Sequence, residues 1–281
     1  MPSDSSRRRL LRLTGAAATL SLAGCASVTE QFADGGGPSG GDGTDVPTEA
    51  ASGSETTADD VSTPDDGSPD DSGGDSWSTE SVTIDDPDVS LSNVPLPDEN
   101  TRYARMGEAD ADAVATVFGN WKCPYTQEFV LNQLPQVVDD FVRSGDLQVE
   151  FRALAYLSGE PFLGADAPRS ARAGLAVWDV DRESYWSYFA YVFTNQPQER
   201  YEWGQPSLLR RFAEESGVNQ PGQIGDVADS DAFSNTVRET TGAADDAGIS
   251  TVPRIVTDDR VTAPTVDFEE TLSQLEQATG L

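Results

Sequence analysis

The run from Val114 to Phe141 constrains this chain more than any other stretch. It opens with β-branched and apolar residues (Val114, Thr116, Val117, Phe118), the pattern of a short buried strand. It breaks at Gly119-Asn120, a turn pair, and reaches Cys123-Pro124. Proline suits the first position of a helix, where its missing N–H is not needed. Beyond it, Val130, Leu134, Val137, Val138 and Phe141 fall on one helical face. Pro135 inside that pattern predicts a kink, since it removes one backbone bond. Gly145-Asp146 ends the helix, and Leu147–Phe151 alternates as a second strand. The unit is strand, helix, strand with a parallel crossover. It places Cys123 at a helix N-cap on the C-terminal edge of a strand, where free backbone N–H groups and the helix dipole favour a thiolate.

The rest of the chain divides by composition. Between Ala26 and Glu80 there are 14 acids, no Lys or Arg, and almost no large apolar residue. Such a stretch cannot offset its ordering entropy, and it reads as a disordered acidic tether over 26–80 with a root-mean-square span of about 40 Å. Residues 81–281 carry 34 acids against 14 bases and are long enough for a normal core. The whole chain has 49 Asp+Glu against 18 Lys+Arg, which argues strongly against nucleic acid as a partner because phosphates are repelled, and leaves basic substrates as the alternative. Acid spread over every segment, with Lys122 the only lysine, suits a protein adapted to molar salt, where screening removes the self-repulsion. There is no His, so histidine triads and histidine metal ligands are excluded; no metal and no cofactor are expected. Carboxylate groupings such as Asp179/Asp181/Glu183 arise by chance at this acid density.

Within 81–281, Val89 to Arg105 is a Pro-punctuated extended lead-in. A largely helical block follows the second strand at about 155–247. In it Ala171, Leu175 and Trp178 share a face, and Tyr185, Phe189 and Val192 continue the pattern. Ser207 to Gly217 forms a short capped helix, and Phe233, Val237 and Thr241 mark another. Trp178, Trp186, Tyr188 and Phe193 read as core, not as a ligand cage. Gly248–Val256 returns to strand chemistry, Asp258-Asp259 turns, and Arg260-Val261 pairs back as a hairpin. Asp267 and Glu270 form an acidic capping box that opens a last helix with Phe268, Leu272 and Leu275 on one face.

Three stretches resemble known families. Trp121-Lys-Cys-Pro-Tyr-Thr126 is similar to the active-site motif of the DsbA-like branch of the thioredoxin superfamily, normally Cys-Pro-Tyr/Phe-Cys. The resemblance runs from about Ser90 to the C-terminus. It implies an α/β thioredoxin fold with an inserted helical domain, and it implies that Thr251-Val252-Pro253 is the cis-Pro loop facing Cys123. Ser6-Arg-Arg-Arg-Leu-Leu-Arg12 resembles a twin-arginine export signal, and Leu22-Ala-Gly-Cys25 a lipobox, so residues 1–25 imply lipidation at Cys25 and an extracytoplasmic, membrane-anchored location. The alternative is a plain cleaved signal.

The expected site follows from the first resemblance. Cys123 is the nucleophile, unless it is merely a small buried hydrophobe. Lys122 beside it and the Thr126 hydroxyl three residues on would support the thiolate. Pro253, with Val252 and Tyr125, would present a platform to substrate. Arg254 is either a second positive charge near the sulfur or a solvated surface residue. The departure from the family pattern is Thr126, which stands where the resolving cysteine belongs, so an internal Cys-x-x-Cys disulfide is ruled out. The expected function is thiol–disulfide exchange through one thiol, with exported proteins bearing thiols or disulfides, or low-molecular-weight thiols, as partners. The rival expectation is a redox-inactive binding or chaperone-like lipoprotein on the same fold.

Overall fold

In the computed structural model, residues 77–97, 101–258 and 260–281 are described. The export signal, the lipobox with Cys25 and residues 26–76 of the tether lie outside them.

A five-stranded sheet has the order β1-β3-β2-β6-β7, built from β1 (Ala104–Met106), β2 (Ala113–Gly119), β3 (Leu147–Ala153), β6 (Arg254–Thr257) and β7 (Arg260–Thr262). β2 and β3 run parallel, from Ala113 opposite Leu147 to Gly119 opposite Ala153. The other pairs are antiparallel. The parallel pair is the crossover read from Val114–Phe151. β1 closes the edge beyond β3 and lies at the end of the expected extended lead-in.

The crossover helix starts at α1 (Pro124–Glu128) and continues through a π turn (Phe129–Gln133), α2 (Leu134–Val137) and a second π turn (Val138–Val142). Its expected apolar face, Val130 to Phe141, is buried. Pro135 does not break the helix. The turn ahead of it widens, with the Leu134 N–H donating to Phe129 O five residues back, and the helix resumes around the missing donor.

Five helices lie between β3 and β6: α3 (Ala167–Val180), α4 (Tyr185–Thr194), α5 (Pro206–Glu215), α6 (Pro221–Ala228) and α7 (Ser234–Asp246). A small hairpin precedes them, β4 (Tyr156–Leu157) with β5 (Glu160–Pro161), which the helical reading of 155–247 had not distinguished. The helix expected from Ser207 starts one residue earlier, on Pro206, and Gln205 makes no side-chain cap there; Gly217, at φ +79°, follows its end. Trp178, Trp186, Tyr188 and Phe193 are all core residues. The last helix, α8 (Phe268–Thr279), opens as read, with the Asp267 carboxylate accepting the Glu270 N–H at 2.9 Å.

Residues from Trp77 to Pro97 lie against the helical block, and of those assigned to the tether Trp77, Ser78 and Thr79 are half-buried while Glu80 is exposed. Trp77 stacks on Tyr201 with ring centroids 4.7 Å apart. Arg211 donates to Thr79 O (2.9 Å) and Val82 O (2.7 Å), and Asn195 exchanges two bonds with Asp85. Tyr191 donates to Asp86 at 2.6 Å.

Candidate functional site

β2 ends at Gly119, and the next three residues decide where Cys123 sits. Asn120 is buried and makes both its side-chain groups count. Its Nδ2 donates to Leu154 O (2.8 Å) and Phe162 O (3.0 Å), while its Oδ1 accepts the Lys122 N–H at 2.8 Å. Its own carbonyl accepts the Cys123 N–H at 3.0 Å. A short polar side chain thus ties the turn to the end of β3 and to the chain leaving β5, which leaves the turn little freedom. Trp121 points the other way, into the helical block. It stacks on Phe193 (5.3 Å) and meets Phe151, Tyr185, Tyr188 and Phe189 at their edges or tilted.

Lys122 is not the thiolate support expected of it. Its side chain is 1% exposed and its Nζ lies 2.5 Å from Asp166 Oδ1, itself 0% exposed, with a further bond to Tyr201 O at 2.9 Å. Asp166 Oδ2 accepts the Gly204 N–H at 2.7 Å. The charge is matched inside the fold, so Lys122 binds the turn to the helical block and is no free cation beside the sulfur. Gly164 makes room for the pair: its φ is +114°, and a Cβ there would stand 2.8 Å from Lys122 Nζ. Gln196 adds a third tie by donating to Lys122 O at 2.8 Å.

Cys123 is the N-cap of α1, with extended backbone (φ −78°, ψ 123°) and Pro124 at the first helical position. The first helical bond is the Gln127 N–H to Cys123 O, at 3.0 Å. The thiol is 5% exposed. It belongs to a small buried cluster with Phe118, Leu154, Ala244, Ile249 and Val252, and Phe162, Leu163 and Ala247 are half-buried against that cluster. Its Sγ–H points at Val252 O, 3.7 Å away. The Val252–Pro253 peptide is cis, as the resemblance implied, and the loop faces the cysteine. Cys123, Val252 and Pro253 are therefore brought together, while Tyr125 stands at the rim, 61% exposed.

Two expectations about the surroundings need correction. The Thr126 hydroxyl accepts the Asn120 N–H at 3.2 Å, and among the described residues it makes no bond to Cys123. Thr126 is fully buried, its side chain turned to the end of β2. Arg254 closes the cis-Pro loop on itself, donating to Pro253 O (2.7 Å) and to Thr251 Oγ1, so it is neither a charge aimed at the sulfur nor a purely solvated residue. Asp181 is likewise occupied, accepting the Ser184 and Asn219 N–H groups. Among the described residues no group of carboxylates could hold a metal.

Asn120 and Asp166 were missed in the sequence. Asn120 was visible only as half of a turn pair, and nothing local to Asp166 marks it as the partner of a lysine 44 residues away.

A parallel β2–β3 pair, a cysteine at the helix edge of β2, a cis-Pro loop against it and a helical block between β3 and β6 define an α/β thioredoxin fold of the DsbA-like type. A family model described as Thioredoxin matches residues 99–277, and the chain belongs to that family. Disulfide bond formation protein D of Bacillus subtilis (strain 168) is 26% identical over 172 residues, covering 61% of this chain and 75% of that one. Probable disulfide bond formation protein D of Bacillus cereus is 28% identical over 110 residues, and there the chain spans 48% of its relative's length. Among solved structures, oxidised BdbD from Bacillus subtilis superposes with a TM-score of 0.58 at 24% identity, over 67% of this chain and 98% of that one. DsbA of Chlamydia trachomatis gives 0.54 at 20%, over 64% and 92%. At these identities the superpositions establish the fold.

Proposed function

We propose that this protein carries out thiol–disulfide exchange through the single thiol of Cys123, with Val252, Pro253 and Tyr125 forming the surface that a partner chain meets. The observation that carries the reading is the cis-Pro loop: it holds a backbone carbonyl 3.7 Å from Sγ. A reactive thiol in such a place exchanges with a disulfide through a mixed-disulfide intermediate. The similarity to disulfide bond formation protein D supports the same chemistry. The partners are exported proteins with thiols or disulfides, or low-molecular-weight thiols. The protein works outside the cytoplasm, held by a lipid on Cys25; the twin Arg7-Arg8 and Leu22–Cys25 are what support that location.

The test is to incubate the reduced protein with a small disulfide and weigh it. One adduct, lost in Cys123→Ser, is the expected result, and no adduct under native conditions refutes exchange. The 5% exposure of Cys123 favours a second reading, a redox-silent binding module. That module would bind unfolded exported chains equally well as Cys123→Ser. For location, Arg7→Lys with Arg8→Lys should leave precursor in the cytoplasm, and Cys25→Ala should release the protein from membranes. Normal membrane recovery of both overturns the lipid anchor.

A further inference from the structure

We propose, resting on the exchange reading above, that the segment from Trp77 to Asp86 is a strap that sets how readily the Cys123 turn opens, and that Trp77 and Arg211 are positioning residues for the thiol although neither lies in the site.

The strap begins as a single turn and continues as extended chain. Ser78 caps the turn over Thr79–Ser81, its Oγ accepting the Glu80 N–H at 3.2 Å. Val82 and Ile84 then pack against the main core while Thr83 and Asp85 are exposed, the alternation of an extended chain laid on a packed surface. From α5, Arg211 grips the strap by two backbone carbonyls, Thr79 O and Val82 O. The strap in turn grips the loop between α4 and α5, residues 195–205. Asn195, at the start of that loop, exchanges two bonds with the Asp85 backbone, at 2.7 and 2.9 Å. Further along, the Tyr201 ring has Trp77 stacked on it at 4.7 Å and 8°, and the Arg200 guanidinium lies 4.7 Å from its centroid.

Each of these grips lies within one residue of a bond to Lys122. Gln196, next to Asn195, donates to Lys122 O at 2.8 Å. The carbonyl of Tyr201 itself accepts from Lys122 Nζ at 2.9 Å. The loop therefore holds the residue before Cys123 by both its main chain and its side chain, while the strap holds the loop. Cys123 is 5% exposed, so a reagent reaches it chiefly when the turn opens locally. Opening displaces Lys122 and works against both loop bonds. A loop pinned by the strap yields less, and the thiol stays closed for more of the time. The stretch where the acidic segment meets the domain is thereby coupled to the thiol through one loop, and a pull on the chain upstream of Trp77 raises access to Cys123.

Alkylation by iodoacetamide in the native, full-length protein, followed by mass on the peptide that carries Cys123, reads the opening without requiring exchange. Trp77→Ala should raise the labelling rate by about three- to tenfold, the factor to which loss of a stacked aromatic pair corresponds. Trp77→Phe keeps a ring to stack and should label close to the parent rate. Arg211→Met frees Thr79 O and Val82 O from α5, leaves every bond to Lys122 in place, and should also accelerate labelling. Asp267→Ala removes the cap of α8, at a comparable cost in stability, and should leave the rate unchanged, because it loosens a part of the fold that does not hold the loop. Unchanged labelling in both Trp77→Ala and Arg211→Met overturns the strap. Equal acceleration by Asp267→Ala overturns it too, since access would then follow overall stability. Treating the same proteins with a small disulfide separates the two readings. Accelerated alkylation with no adduct sinks exchange and leaves the strap standing, whereas an adduct that forms with strap variants alkylated at the parent rate sinks the strap and leaves exchange standing.

Discussion

Replacing Lys122 by Met separates a buried charge from its partner, and the cost follows from what Asp166 keeps. Asp166 would lose the ammonium on Oδ1 and retain only the Gly204 N–H on Oδ2, at 0% exposure. Breaking one side of a buried pair costs about 3–5 kcal/mol, because the remaining charge is neither solvated nor matched. The Tyr201 carbonyl also loses its donor, adding about 1 kcal/mol. For a domain of this size, roughly 3 °C per kcal/mol puts the melting point down by about 12–18 °C. A surface pair such as Arg143–Asp139, by comparison, is worth under about 1 kcal/mol. The double change Lys122→Met, Asp166→Leu removes both charges and leaves the Gly204 N–H unmatched, at about 1–3 kcal/mol, with the Tyr201 carbonyl still lacking its donor, at about 1 kcal/mol. It should therefore recover at least about 2 kcal/mol of what the single change lost. Urea unfolding at fixed molar salt measures both. A single-mutant cost below about 1 kcal/mol would mean the pair is effectively solvated. A double mutant no better than the single one would mean the loss came from the lysine's packing, not from a stranded carboxylate.

Gly174→Ala should destabilise by about 1–3 kcal/mol despite alanine's better helix propensity of about 1 kcal/mol, since the new Cβ would lie 2.5 Å from Trp121 in a packed aromatic cluster. Thermal unfolding decides the sign. The bond from Tyr191 to Asp86 pushes that phenol up to about 12 from 10.0, followed by burial and the nearby carboxylates. A group raised in the folded state stabilises fully below pH 10 and loses that contribution as pH rises from 10 through about 12. Asp86→Asn should bring phenolate absorbance of the folded protein in earlier by one tyrosine, and an unchanged titration would refute the assignment. With 34 acids against 14 bases in residues 81–281, lowering salt from molar to tenths molar should lower the melting temperature, and a salt-independent value refutes the salt-adaptation reading.

The features legible in the sequence were those whose signal is local or periodic. Val130 to Phe141 announced a buried helical face, Leu147–Phe151 its parallel neighbour, and Asp267-x-x-Glu270 a helix start. Each rests on residues within a few turns of one another. The helical block was legible from its periodic apolar faces, whereas the cis-Pro loop was accessible through family resemblance, because nothing in Val252-Pro253 by itself specifies its partner. What stayed hidden was pairing across sequence. Lys122 looked like a cation for the sulfur because Cys123 is its neighbour in the chain, whereas its partner in space is Asp166. Thr126 sits three residues from Cys123 on the first helical turn, yet its hydroxyl turned back to Asn120, which spacing alone does not decide. Trp77 belongs by composition to the tether and by contact to Tyr201, since one aromatic ring outweighs the polar residues around it once a surface is there to receive it.

The place of β2 in the sheet has a consequence for synthesis. Cys123 follows a strand whose two neighbours are β3, made soon after it, and β6, made 135 residues after β2 ends, from Gly119 to Arg254. A chain folding as it leaves the ribosome acquires the first neighbour early and the second almost last. Until Ile249 and Val252 arrive, the Cys123 side chain has its helix but not two members of the buried cluster it belongs to. Its burial is therefore a property of the finished domain, acquired only with the last thirty or so residues.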